Sequence, residues 1–295
     1  MICRSWYEIL VPQIRSHIVL SISREPKRTV FQTLTARGLS FLGTSSQPTN
    51  TGRVTAEVDG STITCRTNIA EAVARGVGRV RWLVVSLEAN MNPMHTSLCL
   101  HKSGFCRQPW PRIRDLCIQV VSGPDDVPQN PDLNSVELIS QAVFEHAPFV
   151  QGFYVSKSER GLGDCALPID RTLGEQAQWI RRIQLCGSVW GIGVWAIDNL
   201  SALSMAVGSN IRSDLVPVLA SRTLQTLELS NVEPPALSIM LGDGSVVFES
   251  LRALKLTFRT HMVSTEVHDM VNDHAVLQFP RLESVHIYGY MQLAP

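Results

Sequence analysis

The segment with the most evident chemistry in this sequence is His-Thr-Ser-Leu-Cys-Leu-His-Lys-Ser-Gly-Phe-Cys, because imidazole and thiolate groups are usual ligands of tetrahedral Zn²⁺. The four candidate ligands are His95, Cys99, His101 and Cys106. Their spacing matches none of the common zinc modules, and Cys99 stands between two leucines, where an inert buried cysteine is common. We therefore expect no metal site in this segment.

A second segment, Gly-Ser-Val-Trp-Gly-Ile-Gly-Val-Trp at 187–195, offers three glycines, Gly187, Gly191 and Gly193, that could approach a phosphate group. It lacks the strand, glycine fingerprint and helix of a dinucleotide-binding loop, and no Gly-Lys-Ser/Thr follows it. The sequence also has no Gly-x-Ser-x-Gly elbow and no cysteine–histidine spacing that predicts a nucleophile with its base. We predict neither catalytic residues nor a cofactor, and we expect these glycines to form a tight turn.

Composition and charge narrow the class of protein further. The 295 residues carry 26 basic and 26 acidic side chains, so no strong field favours nucleic acid or an anionic membrane. The seven cysteines are odd in number and form no Cys-x-x-Cys pair, which favours a reducing compartment. Arg4, Glu8 and Arg15 interrupt the first apolar stretch, so it does not predict a signal peptide. We expect a cytoplasmic or nuclear protein with neither a nucleic-acid nor a membrane partner.

A short apolar pattern, apolar-x-x-apolar-x-apolar, recurs eight times along the chain. Its copies begin at Val80, Ile113, Val150, Ile180, Leu200, Leu224, Leu251 and Leu282. The intervals between first positions run from 20 residues (180 to 200) to 37 (113 to 150), against roughly 20 to 29 in leucine-rich repeats. One copy means little, since any buried strand can supply it, but eight in sequence indicate repeated strand-turn-helix units.

This repetition predicts an α/β fold. The last two apolar residues of each copy alternate across one position, as in a strand with one buried face. Helices are expected between strands, at 135–144, 214–221 and 236–241. Because one unit is too small to bury a core, neighbours must stack into a parallel sheet with outer helices. We predict an irregular leucine-rich-repeat solenoid; an ordinary α/β domain whose buried parallel strands share the pattern is the alternative.

Upstream of the first copy the pattern is more varied. Residues 18–22 predict a short strand, 30–42 a helix, and 68–89 a helix, a glycine stop and then a strand. An Asp59-Gly60 pair inside the alternating segment 57–65 predicts a hairpin.

The beginning of the chain has a distinctive order of residues: a Cys-Arg-Ser-Trp tetrad at 3–6, the apolar pair Ile9 and Leu10, Pro12, and His-Ile-Val-Leu at 17–20. This order resembles the C-terminal portion of an F-box, and the chain is similar to fungal F-box proteins with irregular leucine-rich repeats. The F-box likeness covers under a tenth of the chain, whereas the repeats extend from 80 to 287. It implies a partial F-box remnant at 1–24, short and helical, followed by a leucine-rich-repeat-like domain at 25–295.

The resemblance implies that Trp6, Ile9 and Leu10 bind a Skp-type linker protein of a cullin ubiquitin ligase. The first part of an F-box, a Leu-Pro-x-Glu segment with its helix, has no counterpart here. The chain is therefore expected to be either a truncated gene product or a relative that has lost ligase coupling. An ordinary N-terminal helix that caps the repeat array is the alternative.

Partner binding is predicted on the sheet face that carries the residues between the buried apolar ones. These residues are Cys117, Tyr154, Gln184, Ser204, Glu228, Lys255 and His286, with Gln119, Ser230, Thr257 and Tyr288 beside them. Tyrosines favour protein recognition because they give a large contact at a low entropy cost. The residues expected to contact a protein are Tyr154, Gln184, Glu228, Lys255, His286 and Tyr288.

Three functions are compatible with these observations. The first is a protein–protein interaction scaffold, acting as the substrate-recognition subunit of an F-box ubiquitin ligase or as a truncated relative. The second is a free-standing repeat module without a ligase link, and the third is a metal-binding protein or enzyme that uses segment 95–106. Since no polar capping unit follows the last copy, we also expect an open apolar edge there.

Overall fold

The computed structural model divides into two compact units, Met1–Gly163 and Asp164–Pro295. The structure describes residues 17–23, 32–35, 38–41, 53–58, 61–63, 80–88, 91, 93–103, 105–121, 133–157, 165–186, 189–192, 197–207, 222–232, 247–258, 262–263, 279–289 and 291–292. Within that part of the chain, no helix is both long and apolar enough to cross a membrane.

Within its described residues, the first unit contains eight strands and two helices. The strands are β1 (His17–Ser23), β2 (Gln32–Thr35), β3 (Gly38–Phe41), β4 (Arg53–Val58), β5 (Ser61–Ile63), β6 (Trp82–Glu88), β7 (Asp115–Val121) and β8 (Gly152–Lys157). The helices are α1 (Pro93–Ser103) and α2 (Leu133–His146), with a 3-10 turn at Phe105–Arg107. Strands β1, β6, β7 and β8 are parallel neighbours in that order, β4 and β5 continue antiparallel beyond β1, and β2 and β3 form a separate hairpin.

The core of the first unit follows from the alternation of its strands and from one helix face. Residues 83, 85 and 87 of β6 are all at most 2% exposed. In α2, Val136, Ile139 and Val143 are completely buried, as the spacing in the sequence predicts for one helix face. Buried hydroxyls between the helices have partners: Thr96 Oγ1 donates to Ser135 Oγ at 3.4 Å, and Ser135 Oγ donates to the Met91 carbonyl at 3.0 Å.

The second unit is built mainly of strands. They are β9 (Cys165–Pro168), β10 (Arg182–Cys186), β11 (Val189–Ile192), β12 (Ala202–Ala206), β13 (Thr226–Val232), β14 (Ala253–Phe258), β15 (Met262–Val263), β16 (Ser284–Tyr288) and β17 (Met291–Gln292). A short helix α3 (Ile169–Leu173) and a 3-10 turn (Gly174–Trp179) follow β9. Strands β10, β12, β13, β14 and β16 are parallel neighbours in that order, and β9–β11 and β15–β17 are small parallel pairs.

All eight repeated segments of the sequence form strands. Three are β6, β7 and β8 in the first unit, five are β10, β12, β13, β14 and β16 in the second, and within each unit they pair in parallel. The first apolar residue of every copy except the last is at most 1% exposed. The predicted α/β class with parallel, regularly patterned strands is therefore confirmed.

In the described part of the chain a leading turn can be followed before most of these strands, and we call the residues that lead into a strand, together with that strand, a rung. In six rungs the fourth residue of the turn donates its N–H to the carbonyl of the first, at 3.2–3.4 Å. The turns begin at Trp110, Ala147, Ala177, Ile197, Phe248 and Phe279. Prolines 111, 148 and 280 occupy the second turn position, which their fixed φ suits. The repeat is thus longer than its strand pattern alone, since it includes an apolar residue three positions earlier.

The backbone joins successive rungs at the N-terminal edge of the strands. In each of six links, two consecutive N–H groups of one rung donate to a single carbonyl of the rung before, at 2.7–3.1 Å. The accepting carbonyls belong to Arg81, Arg114, Arg181, Ser201, Gln225 and Arg252. These links fix where six of the strands begin relative to the neighbour before them.

A side-chain ladder in the second unit reinforces this edge. The third turn residue of one rung donates to the carbonyl of the second turn residue in the preceding rung. Asn199 Nδ2 donates to Gln178 O at 2.9 Å, Thr223 Oγ1 to Asp198 O at 3.0 Å, and Ser250 Oγ to Arg222 O. Thr223 Oγ1 also lies 2.9 Å from Leu200 O. Because three different residue types serve one role, the sequence shows no obvious consensus for this ladder.

Replacing Thr223 by valine is expected to lower the free energy of unfolding by about 1 kcal/mol, the usual net contribution of such a hydrogen bond. Valine keeps the shape and β-branching of threonine, so packing changes little. Urea unfolding followed by circular dichroism measures the effect. Thr226→Val, at an exposed position of β13, is the control, and equal stabilities of the two variants would contradict the role of the ladder.

Two predictions for individual segments are wrong. Residues 30–42 do not form a helix, because β2 and β3 pair antiparallel as a hairpin with Thr35 opposite Gly38. Residues 189–192 do not form a tight turn, because β11 pairs in parallel with β9. The predicted strand at 18–22 and the hairpin at 57–65 are confirmed by β1 and by the β4–β5 pair. Within 68–89, the predicted strand is confirmed by β6, and the predicted helix lies outside the described residues. The helices predicted at 214–221 and 236–241 also lie outside them.

The last rung departs from the buried pattern of the others. Val285 and Ile287 in β16 are 42% and 37% exposed, although the matching residues of the other seven rungs are at most 6% exposed. The reason is that β16 is at the edge among the described strands, where it pairs with β14. The open apolar edge expected from the sequence is therefore found at this strand.

Candidate functional site

The predicted recognition residues of the second unit form one row. In each copy of the repeated pattern, one residue stands between the last two apolar residues. We call the sheet face that carries these intervening residues the open face. In register, Gln184 pairs with Ser204, Ser204 with Glu228, Glu228 with Lys255, and Lys255 with His286. The first four are half-buried and His286 is exposed, so the row is accessible from the open face as the strand alternation predicts.

Charged and aromatic side chains meet at one end of this row. Lys255 Nζ donates to Glu228 Oε1 in an ion pair, and it also lies 5.5 Å from the centre of the Tyr288 ring. The His286 and Tyr288 rings stack with their centres 6.4 Å apart and their planes 10° from parallel. The hydrogen bond and charge of Glu228 raise the pKa of Lys255, so the ammonium stays protonated well into the alkaline range.

The other end of the row presents smaller groups. In β12 the half-buried residues of this face are Ala202 and Ser204, whose small side chains pair in register with Arg182 and Gln184 of β10 on one side and with Thr226 and Glu228 of β13 on the other. Burial raises the pKa of the Cys186 thiol in β10; a hydrogen bond with Gln184 opposes this rise, while the Glu228 charge adds to it. The Glu228 charge therefore acts in both directions across the row, on Lys255 and on Cys186.

The remaining predicted residue, Tyr154, lies on the open face of β8 in the first unit. Its ring stacks on Trp82 with the ring centres 5.4 Å apart and the planes 28° from parallel. Its hydroxyl donates to Asp115 Oδ1 at 3.2 Å. Trp82, Asp115 and Gly152 are aligned in register on β6, β7 and β8. A Cβ at Gly152 would lie 2.1 Å from Asp115 Oδ1, so only glycine leaves room for this cluster.

Sequence reasoning missed part of this arrangement. The residue between the last two apolar positions of each copy was selected as a recognition residue. The residue two positions before it was not selected, although a strand alternates with period two and places these two residues on the same face. Trp82, Asp115 and Gly152 could have been found by that rule alone. The proximity of Cys186 to Glu228 could not, because it depends on a register between strands 42 residues apart in sequence (186 to 228).

The other candidate residues are placed as follows. Trp6, Ile9 and Leu10 lie outside the described residues, so their binding to a linker stays a prediction. His95, Cys99 and His101 belong to α1 and Cys106 to the 3-10 turn after it, and burial raises the pKa of the Cys106 thiol, with a further contribution from the Glu145 charge. Among residues whose side chains the structure describes, no group of three histidine, cysteine, aspartate or glutamate residues could hold a metal ion; His95 and Cys99 are not among them.

The open face of the second unit thus offers a preformed ion pair, two stacked rings and the small side chains of β12. Aromatic rings of this kind are enriched at protein interfaces, where they bury a large area with few rotatable bonds. Comparison of the chain with protein-family models, curated proteins and solved structures gives no match.

Proposed function

We propose that this protein is a protein–protein interaction scaffold that binds a protein partner through the open face of its second unit. The observation that supports it is the in-register row from Gln184 to His286, in which mixed polar and aromatic side chains stand on five adjacent parallel strands. Such strands hold their side chains at fixed spacings of ~4.8 Å, so little conformational entropy is lost when a partner binds.

We further propose an irregular leucine-rich-repeat architecture and a role as substrate-recognition subunit of an F-box ubiquitin ligase, or as a truncated relative, in the cytoplasm or nucleus. The repeated rungs support the architecture, because six of the eight form backbone links with the rung before them. The ligase role depends on the F-box resemblance of the first 22 residues. A free-standing repeat module without ligase coupling is the second candidate, and the same rungs support it equally.

The test of partner binding is an exchange of charges within the ion pair on the open face. The double variant Glu228→Lys with Lys255→Glu keeps an ion pair but exchanges the positions of its two charges. Its affinity for a partner of complementary charge should fall by about tenfold or more. Arg222→Glu with Glu249→Arg is the control, because it reverses a second ion pair of the same unit, one that is more exposed and has a 3.4 Å separation.

Proximity labelling in fungal cells, quantified by mass spectrometry, compares the two double variants with the unaltered chain. We expect one set of proteins to be lost with the open-face variant and kept with the control. Identical profiles for the two variants would refute recognition by this face. A separate binding assay with a purified Skp-type linker tests the ligase role: binding that Trp6→Ala with Leu10→Ala weakens supports it, and absence of binding leaves the free-standing module.

A further inference from the structure

A cluster of arginines lies in the first unit, where its strands begin. Arg81 and Arg114 directly precede β6 and β7, and the Arg81 carbonyl accepts the N–H groups of Arg114 and Asp115. Arg112 occupies the turn that leads into β7. Arg81 and Arg112 are exposed and Arg114 is half-buried. Three positive charges are therefore gathered on two adjacent rungs, whose strands are ~4.8 Å apart.

In the second unit, one arginine at the equivalent position is paired with a glutamate of the next rung. Arg252 occupies the same place in its rung as Arg81 and Arg114, and its Nη1 lies 3.4 Å from Oε1 of Glu283, at the equivalent place in the next rung. In the first unit, the position in the next rung that is equivalent to Arg81 is occupied by Arg114, which has the same charge. The equivalent position in the rung after that is occupied by Gln151, which has no charge. At these described positions of the first unit, no glutamate occupies the place that Glu283 has beside Arg252.

The guanidinium of Arg114 is oriented for a further ligand. Its Nη1 donates to Pro111 O at 2.9 Å and to Ile113 O at 3.3 Å, and its Cζ lies 5.4 Å from the centre of the Phe149 ring. These contacts fix the plane of the group while they use only the Nη1 hydrogens. Three of the five N–H donors of an arginine are left, in the geometry that suits a carboxylate.

We propose that this arginine edge, Arg81, Arg112 and Arg114, binds an acidic polypeptide segment through its carboxylates. Exposed rings beside the arginines, Trp82 at 39% and Phe149 at 47%, supply apolar contact for such a segment. A protein ligand fits better than nucleic acid, because three charges on two rungs match a short acidic stretch. A nucleic-acid surface usually contacts ~6 to 10 phosphates along a continuous track.

The test is fluorescence anisotropy of a labelled octaglutamate peptide with the full chain at low salt, ~50 mM. Arg81→Gln with Arg112→Gln is expected to weaken binding by about tenfold, and it leaves the turn contacts of Arg114 intact. Arg222→Gln with Arg252→Gln removes the same charge from the second unit and should change binding by less than about twofold. Circular dichroism establishes that both variants are folded.

Each outcome bears on the proposal. Binding that falls with salt, that octaglutamine does not reproduce, and that only the first-unit variant loses supports it. Absence of octaglutamate binding, or an equal loss in the two variants, overturns it. Tighter binding of a single-stranded RNA octanucleotide than of octaglutamate overturns the assignment to a protein ligand.

Discussion

Replacing Trp110 by alanine is expected to lower the free energy of unfolding of the first unit by about 4 kcal/mol, within the range for truncating a buried aromatic residue. Trp110 is completely buried at the start of the turn that leads into β7. Its ring stacks on Phe105 with the centres 4.8 Å apart, and its Nε1 donates to the Phe105 carbonyl at 3.0 Å. Its backbone N–H donates to His146 O at 2.7 Å. The indole therefore fixes the 3-10 turn against the turn before β7, and alanine leaves a cavity at that junction.

The measurement is hydrogen exchange by mass spectrometry on peptides that cover 105–121, combined with urea unfolding. Exchange resolves the first unit separately, which matters because a chain of two units need not unfold in one step. Trp179→Ala is the control, since that side chain is 51% exposed and should change stability by less than about 0.5 kcal/mol. Similar protection in the two variants would contradict the packing role assigned to Trp110.

Gly152→Ala is expected to destabilise the first unit by about 3 kcal/mol, near the upper end of the cost of inserting one methyl group into a tightly packed site. The added Cβ would lie 2.1 Å from Asp115 Oδ1, 2.7 Å from Tyr154 Cε2 and 2.9 Å from Tyr154 Oη. Asp115 is only 4% exposed, so its carboxylate has little room to move. Alanine must therefore displace the Tyr154 ring, which breaks its hydrogen bond to Asp115 and its stacking on Trp82.

Gly289→Ala is the matched control for this substitution. A Cβ at Gly289 would lie 3.5 Å from Phe258 Cβ, an ordinary contact, so we expect a change below about 0.5 kcal/mol. Urea unfolding gives the stabilities, and near-ultraviolet circular dichroism reports the Trp82–Tyr154 pair. A Gly152→Ala protein with unchanged stability and an unchanged near-ultraviolet spectrum would show that the cluster is not closely packed.

The strands of this fold could be predicted from the sequence better than the segments between them. The repeated apolar pattern locates eight strands because burial of one face is a local requirement that every copy must meet. A helix was predicted for segment 30–42 because its apolar residues Phe31, Leu34 and Phe41 fit one helix face. Thr33 and Thr35 alternate with Leu34 there as in a strand, and β-branching favours that conformation. Short apolar segments of this kind are ambiguous between the two periodicities.

The candidate site shows the same division between local and long-range information. Strand alternation predicted that Glu228, Lys255 and His286 are accessible, and register then aligned them because each strand begins at the same backbone link. The ion pair and the ring contacts of Tyr288 depend on side-chain conformations, which no sequence pattern contains. The arginine edge was missed for a different reason. Arg252 has a glutamate at the equivalent position of the next rung, whereas Arg81 and Arg114 do not, and the sequence alone does not show which positions are equivalent.

The backbone links at the N-terminal edge of the strands also bear on how this sequence could change over evolution. Each link joins the start of one strand to a carbonyl at the start of the strand in the preceding rung. The position of a strand therefore does not depend on how many residues connect it to its neighbour. Doubling the length of a connecting loop costs only about 0.6 kcal/mol in closure entropy. Insertions and deletions between strands can therefore accumulate while the side chains displayed on the sheet keep their spacing. Intervals as unequal as 20 and 37 residues (180 to 200 and 113 to 150) are what such a history would produce.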